Sequence, residues 1–391
     1  MIVGVVGKPN VGKSTLFKAM SMAEAEIANF PFTTIKPNVG VGYVRTPDAG
    51  VHFNVTAAAR NSVVRAGVRF TPVKLIDVAG LVPGAHEGKG LGNQFLDDLS
   101  AADVLIHVVD ASGRTNELGE PAADHDPKKD IAFLEEEIDL WFTGLVKKHW
   151  DKIKSRIKYD SGDIVKEFSA VLSGIKISEH HVKTTLLKMG REGTVDWSDD
   201  DVADFAVELR KMSKPIVLVA NKADVPGADK HLPGLKEKYG IFPVSAASEL
   251  ALRQADKAGV IEYLPGDSDF KIKGTPDEKQ KKALEFIRTG VLKKYGSTGV
   301  QQILNHAVFD MLKYMVVYPV ENENALSDGQ GNILPDSHLV PQGTTAIELA
   351  YRIHTDIGDK FIGAIDCKTK RRIGRDHVLA DGDVVKIITH R

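Results

Sequence analysis

Residues 2–15 read IVGVVGKPNVGKST, and this stretch decides the fold of the first part of the chain. The run from Ile2 to Val6 is apolar and rich in β-branched residues, which predicts a buried strand. Residues 7–14 match the phosphate-binding pattern Gly-x-x-x-x-Gly-Lys-Ser, and a helix is expected directly after them. A strand, a glycine-rich loop and a helix in this order predict an α/β nucleotide-binding fold with a mostly parallel sheet.

The loop offers groups that suit a polyphosphate. Its glycines allow backbone N–H groups to close around the β-phosphate at the N-terminus of a helix. Lys13 is predicted to place a positive charge on the β- and γ-phosphates, and the Ser14 hydroxyl to ligate Mg²⁺. The loop residues predicted to bind nucleotide are Gly7, Pro9, Asn10, Val11, Gly12, Lys13, Ser14 and Thr15.

The composition is that of an ordinary globular protein. With 391 residues the chain exceeds the usual size of one hydrophobic core, so we expect two or three domains. Its 53 acidic and 51 basic residues give a formal net charge of −2, which excludes a global attraction to nucleic acid or membrane. The single cysteine, Cys367, suits a reducing compartment. No signal-peptide core and no apolar run of about 18 residues is found, so we expect a cytoplasmic protein without a membrane partner, and a monomer.

The alternation of strands and helices is even up to Asp110 and then breaks. Further strands are expected at residues 39–44, 73–76, 104–109 and 216–219. Between the last two lie about a hundred residues with amphipathic patterns at 131–148 and 164–187. A crossover between parallel strands needs only about a dozen residues, so ordinary crossover helices are the weaker interpretation. We predict a helical insertion at residues 114–212.

The C-terminal part has a different texture. Helices are expected at 277–294 and 300–312, followed by strands at 316–320, 362–365 and 384–388 with a helix at 346–354 between them. This predicts a small α+β domain. The predicted domains are therefore a nucleotide-binding domain with linking helices (1–113 and 213–312), the insertion (114–212) and the C-terminal domain (313–391).

A second motif, Asp77-Val78-Ala79-Gly80, follows the strand predicted at 73–76. An Asp at the carboxyl end of a parallel strand beside the phosphate loop can hold Mg²⁺ through water. The Gly80 N–H can bond the γ-phosphate and respond to its loss. Alone, Asp-x-x-Gly is more often a turn, but its place about sixty residues after the phosphate loop favours the nucleotide-binding interpretation.

A third motif, Asn221-Lys222-Ala223-Asp224, ends the strand predicted at 215–220. A carboxylate at Asp224 can accept hydrogen bonds from guanine N1–H and the exocyclic amine, and adenine offers neither donor there. An unpaired buried acceptor costs about 1–3 kcal/mol, so Asp224 predicts selection of GTP over ATP. The stem of Lys222 can lie across the base. Residues 245–247, Ser245, Ala246 and Ala247, would add a backbone N–H to guanine O6.

Two segments indicate the branch of GTPases. Residues 29–38, NFPFTTIKPN, closely resemble the first switch of the Obg family, and residues 80–96, GLVPGAHEGKGLGNQFL, its second switch. The Gly-Ala-His in the second segment resembles the YchF (Obg-like) subfamily in particular. Residues 339–358, together with 381–385, resemble a TGS domain, which is ubiquitin-like. The chain thus resembles a P-loop NTPase G domain with a helical insertion and a C-terminal TGS domain.

This resemblance carries expectations about ligands and partners. YchF proteins of bacteria and eukaryotes typically alter the base-reading motif and accept ATP. This chain keeps 221–224 intact and so resembles the GTP-specific branch, of the type seen in archaea. The resemblance also implies association with the ribosome and a role in translation or stress control. It implies Thr34, with Thr33 as the alternative, as the Mg²⁺ ligand of the first switch.

The residue after Gly80 is where many GTPases place a glutamine that orients the attacking water. Here it is Leu81, which cannot orient water, so slow unassisted turnover is expected. His86 is one candidate for the missing catalytic group, and a solvent-facing loop histidine is an equally weighted alternative. Asn10 is a second candidate, because it resembles a potassium ligand of glutamine-less GTPases. An ordinary loop Asn is the alternative at that position.

Two basic stretches, 147–158 and 368–375, are candidates for contacting ribosomal RNA phosphates, with Trp150 or an arginine stacking on unpaired bases. A solvated helix face and a charged hairpin tip are the alternatives. The sequence therefore predicts a ribosome-associated GTPase switch. A nucleotide-gated adaptor that binds another protein or a signalling nucleotide, with incidental hydrolysis, is the second hypothesis. A small-molecule kinase is a distant third, because neither an acceptor pocket nor a catalytic base is apparent.

Overall fold

The structure, a computed structural model, describes residues 1–21, 38–78, 80, 92–160, 162–193 and 195–390. The strands are β1 (Ile2–Val6), β2 (Val39–Pro47), β3 (Val63–Arg65), β4 (Val68–Asp77), β5 (Val104–Asp110), β6 (Ile216–Asn221), β7 (Phe242–Pro243), β8 (Ile261–Glu262), β9 (Lys271–Ile272), β10 (Tyr314–Val320), β11 (His338–Pro341), β12 (Phe361–Asp366), β13 (Arg371–Ile373) and β14 (Val384–Thr389).

The α-helices are α1 (Lys13–Ser21), α2 (Ala49–Phe53), α3 (Gly92–Ala101), α4 (Pro127–Asp160), α5 (Ile164–Leu172), α6 (Glu179–Met189), α7 (Asp199–Ser213), α8 (Ala228–Tyr239), α9 (Ala246–Lys257), α10 (Glu278–Ile287), α11 (Lys293–Tyr295), α12 (Val300–Asn305), α13 (Ala346–Ile353) and α14 (Thr355–Asp359). π-Helical turns at 288–292 and 306–311 continue α10 and α12. They lie inside the helical stretches predicted at 277–294 and 300–312.

The larger sheet has the strand order β2-β4-β1-β5-β6-β7, with β3 paired to β4. The pairs β1–β4, β1–β5, β5–β6 and β6–β7 are parallel, as predicted for the α/β fold. Each residue of β5 is buried, which is the pattern of a central strand covered on both faces. The parallel order places the carboxyl ends of β1, β4, β5 and β6 at one edge, where the predicted nucleotide motifs follow.

By its internal contacts, the described chain divides into two compact units. The first comprises residues 1–19, 38–40 and 74–303, and the second comprises 20–21, 41–73 and 304–390. The predicted insertion lies inside the first unit. The second unit joins residues 41–73 to the C-terminal residues, although the sequence assigned 41–73 to the nucleotide-binding domain. The domain bounds written from the sequence stay a prediction.

The insertion is a bundle of α4, α5, α6 and α7. The amphipathic stretch 131–148 lies within α4, which extends to Asp160. The amphipathic stretch at 164–187 is divided between two helices: α5 ends in a 3₁₀ turn, Lys176 takes a left-handed φ of 63°, and Ser178 caps α6. The bundle core is apolar and aromatic. Its largest rings stack at its centre, with the centroids of Trp150 and Trp197 4.7 Å apart.

In the second unit, a five-stranded sheet has the order β11-β10-β14-β12-β13 and packs against α13. The strands predicted at 316–320, 362–365 and 384–388 are confirmed within β10, β12 and β14. The edge strands β11 and β13 were missed, because three or four residues carry little periodic signal. Arg69 is fully buried here. It donates to Asp48 (2.6 Å), Ser62 (2.8 Å) and the Leu334 carbonyl (3.0 Å), which ties residues 41–73 to the segment that precedes β11.

Candidate functional site

The phosphate loop connects β1 to α1, as predicted. Gly7 and Gly12 have φ values of 149° and 93°, which L-residues with a side chain rarely adopt. A Cβ on Gly12 would also lie 2.4 Å from Asn221 Nδ2, and one on Gly7 would lie 2.5 Å from the Val108 carbonyl oxygen. Asn10 takes a left-handed φ of 61°, which Asn tolerates. The glycines are therefore required by conformation and by close packing.

The lysine of this loop is turned back onto the loop. Lys13 Nζ donates to the Lys8 carbonyl oxygen at 2.8 Å, and an added Cβ on Gly80 would lie 3.4 Å from it. Burial lowers the pKa of Lys13, while the charge of Asp77 opposes that shift. A cation that burial has partly desolvated interacts strongly with an anion, because less water competes for it. The structure brings Lys13 together with Gly80, as the sequence predicts.

Ser14 and Asp77 also meet. Ser14 Oγ lies 3.1 Å from Asp77 Oδ2, and Asp77 stands at the carboxyl end of β4 with its N–H donating to the Asn38 carbonyl (2.8 Å). Burial raises the pKa of the Asp77 carboxyl, opposed by the Ser14 hydrogen bond and the Lys13 charge. A hydroxyl and a carboxylate at this separation form a pair of hard oxygen donors, the type that Mg²⁺ prefers. Thr34 and His86 lie outside the described residues, as do Thr33 and Leu81.

The third motif lies directly against the phosphate loop. Asn221 Nδ2 donates to the Val11 carbonyl (2.9 Å), and Lys222 Nζ donates to the Asn10 carbonyl (2.9 Å). Lys222 has a left-handed φ of 60°, so the chain turns sharply at this residue. The half-buried Asp224 carboxylate accepts no hydrogen bond from any residue that the structure describes. After this backbone turn, the Lys222 side chain bonds to the phosphate loop, whereas the Asp224 carboxylate does not.

Residues 245–247 begin α9. Ser245 N–H donates to the Thr298 carbonyl (2.9 Å), and Ala246 N–H donates to Asn221 Oδ1 (3.2 Å). Neither of these donors is therefore available to a base. Within the described part of the chain, the N–H of Ala247 has no acceptor, so it is the donor of the three that remains for guanine O6. The sequence left the choice among these three residues open.

A hairpin between β5 and α4, residues 112–122, covers the outer side of the phosphate loop. Asn10 Nδ2 donates to the Gly119 carbonyl at 2.9 Å, and Lys8 Nζ donates to the Thr115 carbonyl at 2.9 Å. Gly119 has a φ of 80°, and a Cβ there would lie 2.5 Å from the Pro9 carbonyl oxygen. The hairpin was not foreseen. It is held together by a bridge between Thr115 and Pro121 and by a turn around Asn116, and so short an element leaves no periodic signal in the sequence.

Two buried acidic residues that support the loop were also missed. Asp130, at the start of α4, forms an ion pair with Lys8, with 2.7 Å between Oδ2 and Lys8 Nζ. Its Oδ1 lies 2.8 Å from His125 Nε2. Asp110, at the end of β5, contacts Lys222 Nζ at 2.7 Å. For Asp110 a signal existed, because it ends a parallel strand next to β1, at the same edge as Asp77 and Asn221.

The interpretation of Trp150 as a base-stacking side chain is wrong. Trp150 is 6% exposed and stacks on Phe168 and Trp197, because it faces the interior of the bundle. The aromatic side chain that the same helix exposes is Tyr159, at 85%. Lys147, Lys148 and Lys152 are exposed and have no ion-pair partner among the described residues.

No helix in the described part of the chain is long and apolar enough to cross a bilayer.

Comparisons with known families agree with this site. Residues 2–138 match the family described as 50S ribosome-binding GTPase, residues 219–322 the Obg-like GTPase YGR210-like, G4 motif-containing domain, and residues 330–389 the TGS domain.

The chain is 47% identical to an uncharacterized GTP-binding protein of Methanocaldococcus jannaschii, over 99% of both chains. It is 34% identical to the ribosome-binding ATPase YchF of Bacillus subtilis, over 98% of both. The crystal structure of a GTP-binding protein from Pyrococcus horikoshii is similar over 100% of both chains, with 41% identity and a TM-score of 0.80.

Proposed function

Because the chain belongs to the YchF/Obg-like GTPase family, with a G domain and a C-terminal TGS domain, we propose that it is a guanine-nucleotide switch that acts on the ribosome. It is a P-loop NTPase that binds and hydrolyses GTP. We propose that the chain uses this activity as a cytoplasmic switch in translation or stress control. The observation that carries the guanine preference is the intact motif at 221–224, held against the phosphate loop by Asn221 and Lys222.

Guanine selection follows from Asp224. Its carboxylate is half-buried and accepts no hydrogen bond within the described residues, so it can accept both guanine donors. With adenine bound, a partly desolvated charge would have no partner, at a cost of roughly 1.5–3 kcal/mol. The Ala247 N–H supports the proposal as a donor for guanine O6. These contacts support GTP rather than ATP as the substrate of this chain, although relatives bear the name ATPase.

The oxygen donors of Ser14 and Asp77 fit Mg²⁺, which this class of G domain generally uses. We propose that these two residues hold the ion and that Thr34 joins them from the first switch. When bound, Mg²⁺ offsets the negative charge of the β- and γ-phosphates. Lys13 adds a second positive charge beside them, and Gly80 lies next to Lys13, where its N–H suits a γ-phosphate oxygen.

Hydrolysis is proposed to need assistance. The position after Gly80 is Leu81, whose side chain cannot orient water. For Asn10, the hydrogen bond from Nδ2 to the Gly119 carbonyl leaves Oδ1 as a free ligand, which supports a K⁺ ion beside the phosphates. His86 remains the alternative catalytic group. Either assistant would supply the charge or the positioning that the missing glutamine does not.

Ribosome association is supported by the names of the matched family, 50S ribosome-binding GTPase, and of the Bacillus subtilis relative, ribosome-binding ATPase YchF. On this chain, the exposed lysines of α4 and the arginines of the β12–β13 hairpin are the proposed contacts with ribosomal RNA. Arg371, Arg372 and Arg375 are all exposed, and the structure records no acidic partner for them among its described residues. Such unpaired cations can release counterions from RNA phosphates.

The test measures GTP turnover with and without purified 50S subunits, each in K⁺ and in Na⁺. We expect the subunits to stimulate turnover, and turnover to be slower in Na⁺ than in K⁺. In Asn10→Ala the rates in the two salts should be equal. His86→Ala, by contrast, should lower the rate in both salts if His86 is the assistant. Tight ADP binding equal to that of GDP would contradict the guanine preference, and unstimulated turnover with no cosedimentation would contradict the ribosomal role.

The docking surface is tested with Lys148→Glu combined with Lys152→Glu, which should weaken binding to 50S subunits and reduce its dependence on salt. The matched control is Lys279→Glu combined with Lys282→Glu on α10, which makes the same charge change on another exposed helix. Equal weakening by both pairs would mean that only net charge matters, and that α4 is no docking surface.

A further inference from the structure

The acidic residue at the end of β5 occupies an unusual position between the guanine-reading motif and the phosphate loop. The Asp110 side chain is 1% exposed, and four donors surround its carboxylate. Oδ1 accepts from the Ser112 N–H (3.0 Å) and Oγ (2.5 Å), while Oδ2 accepts from Thr115 Oγ1 (3.1 Å) and Lys222 Nζ (2.7 Å). The carboxylate is therefore held in one orientation, and Lys222 is the donor that carries a charge.

We propose that Asp110 is a positioning residue for guanine recognition, acting through Lys222; the inference rests on the proposed guanine preference. The Lys222 ammonium has two anchors, Asp110 Oδ2 at 2.7 Å and the Asn10 carbonyl at 2.9 Å. One anchor is at the end of β5 and the other is in the phosphate loop. With its tip held at both, the stem of Lys222 presents one fixed apolar surface on which a base can lie.

Asp110 also determines which carboxylate Lys222 pairs with. Asp224 stands two residues after Lys222 and accepts no hydrogen bond in the described structure, although it is the nearest acidic residue in sequence. A short ion pair with the buried Asp110 carboxylate satisfies the ammonium and leaves Asp224 for the base. Without the charge of Asp110, the ammonium would keep only a neutral carbonyl as partner, and Asp224 would attract it. Guanine would then compete with Lys222 for the same carboxylate, whereas adenine would lose nothing at Asp224.

A purely structural role makes a different prediction. Ser112 and Thr115 belong to the hairpin that covers the phosphate loop, so loss of Asp110 could loosen the loop. That loss would weaken every nucleotide equally, because the loop contacts phosphates and not the base. A positioning role and a structural role of Asp110 therefore predict different changes in the ratio of GDP to ADP affinity. They also differ in whether the loss of affinity caused by an Asp110 substitution depends on the charge of Lys222.

The experiment uses the full chain and ribose-labelled GDP and ADP in equilibrium titrations. Asp110→Asn keeps the size and shape of the side chain and should lower GDP affinity roughly tenfold, with ADP affinity changed less than about threefold. In a Lys222→Met background, which keeps the stem without the charge, Asp110→Asn should change GDP affinity less than about twofold. The matched control is Asp103→Asn at the opposite end of β5, where Asp103 pairs with Lys176 at 2.8 Å. It should leave both affinities unchanged.

Equal losses for GDP and ADP, or a full tenfold effect of Asp110→Asn in the Lys222→Met background, would overturn the proposal. If Asp110→Asn alone does not fold, the comparison of Lys222→Met with the double variant carries the same test. Equal GDP affinities support the proposal, and a further loss above about threefold contradicts it. Wild-type protein that binds GDP and ADP equally would instead remove the guanine preference itself, so the two failures are distinguishable.

Discussion

Around the phosphate loop, buried polar side chains such as Asp110 and Asn221 are held by specific hydrogen bonds, whereas the centre of the helical insertion is filled by apolar side chains and aromatic rings. Asp110 and Asn221 are each fixed by several donors or acceptors, and Gly7 and Gly12 admit no Cβ. The insertion instead has a core that contains stacked rings, and an added Cβ on its Gly144 would meet no atom within 4 Å. Around the phosphate loop, backbone conformation and hydrogen bonding limit the residue types that fit. In the core of the bundle, the limit is the volume of the apolar side chains. Substitutions should therefore separate ligand binding from stability.

The largest expected effect is in the insertion. Trp150→Ala should lower the free energy of unfolding by about 3–5 kcal/mol, because it removes a buried ring stacked between Phe168 and Trp197. Chemical denaturation followed by circular dichroism measures the loss. GDP affinity of the folded variant should stay within about twofold of wild type, and a large loss of affinity would break the separation between the two regions.

The opposite result is expected for Lys13→Met. Nucleotide affinity should fall about a hundredfold, or about 2.7 kcal/mol, because the phosphates lose a partly desolvated charged donor. Stability without nucleotide should not decrease, since the change removes a buried ammonium whose pKa burial already lowers. Titration calorimetry and thermal unfolding measure the two quantities on the same sample. A variant that binds normally would show that Lys13 is structural.

The next effect depends on pH. Burial and the charges of Lys13 and Lys8 lower the pKa of His107 in β5 to about 3, from 6.5 in the unfolded chain. The unfolded state therefore binds one more proton between these values. The contribution of His107 to the free energy of unfolding is therefore complete above pH 6.5. Between pH 6.5 and about 3 it falls by about 1.4 kcal/mol for each pH unit of acidification. Unfolding free energies at pH 7 and pH 5 should differ less in His107→Gln than in wild type. Equal slopes would show that His107 is not the group that titrates.

The smallest effect is expected at Gly144, and Gly12 provides the contrast. Gly144→Ala in α4 should stabilise the chain by about 0.5–1 kcal/mol, because a Cβ there meets no atom within 4 Å and alanine favours a helix. Gly12→Ala is its counterpart at the phosphate loop, with a φ of 93° and a Cβ 2.4 Å from Asn221 Nδ2, and it should abolish tight GDP binding. If Gly12→Ala binds GDP normally, the conformational requirement inferred for the loop is wrong.

Much of the site was predictable from sequence, because its chemistry requires particular residues at particular spacings. The strand-loop-helix at 2–21 and the oxygen pair of Ser14 and Asp77 lie as expected, since the neighbouring parallel strands β1 and β4 end at one edge of the sheet. The supporting residues were harder to predict. Asp110, Asp130 and Gly119 become neighbours of the loop only after β5, α4 and the hairpin have packed.

The sequence by itself determined that the chain holds a phosphate loop, a guanine-reading motif and a C-terminal α+β region, because local backbone geometry and side-chain chemistry suffice for these. Only the tertiary structure decided that Trp150 points inward, that residues 41–73 join the C-terminal unit, and that Asp110 pairs with Lys222. Each of these depends on contacts between residues distant in sequence. Burial and pairing are properties of the packed elements and leave no periodic signal in a single segment.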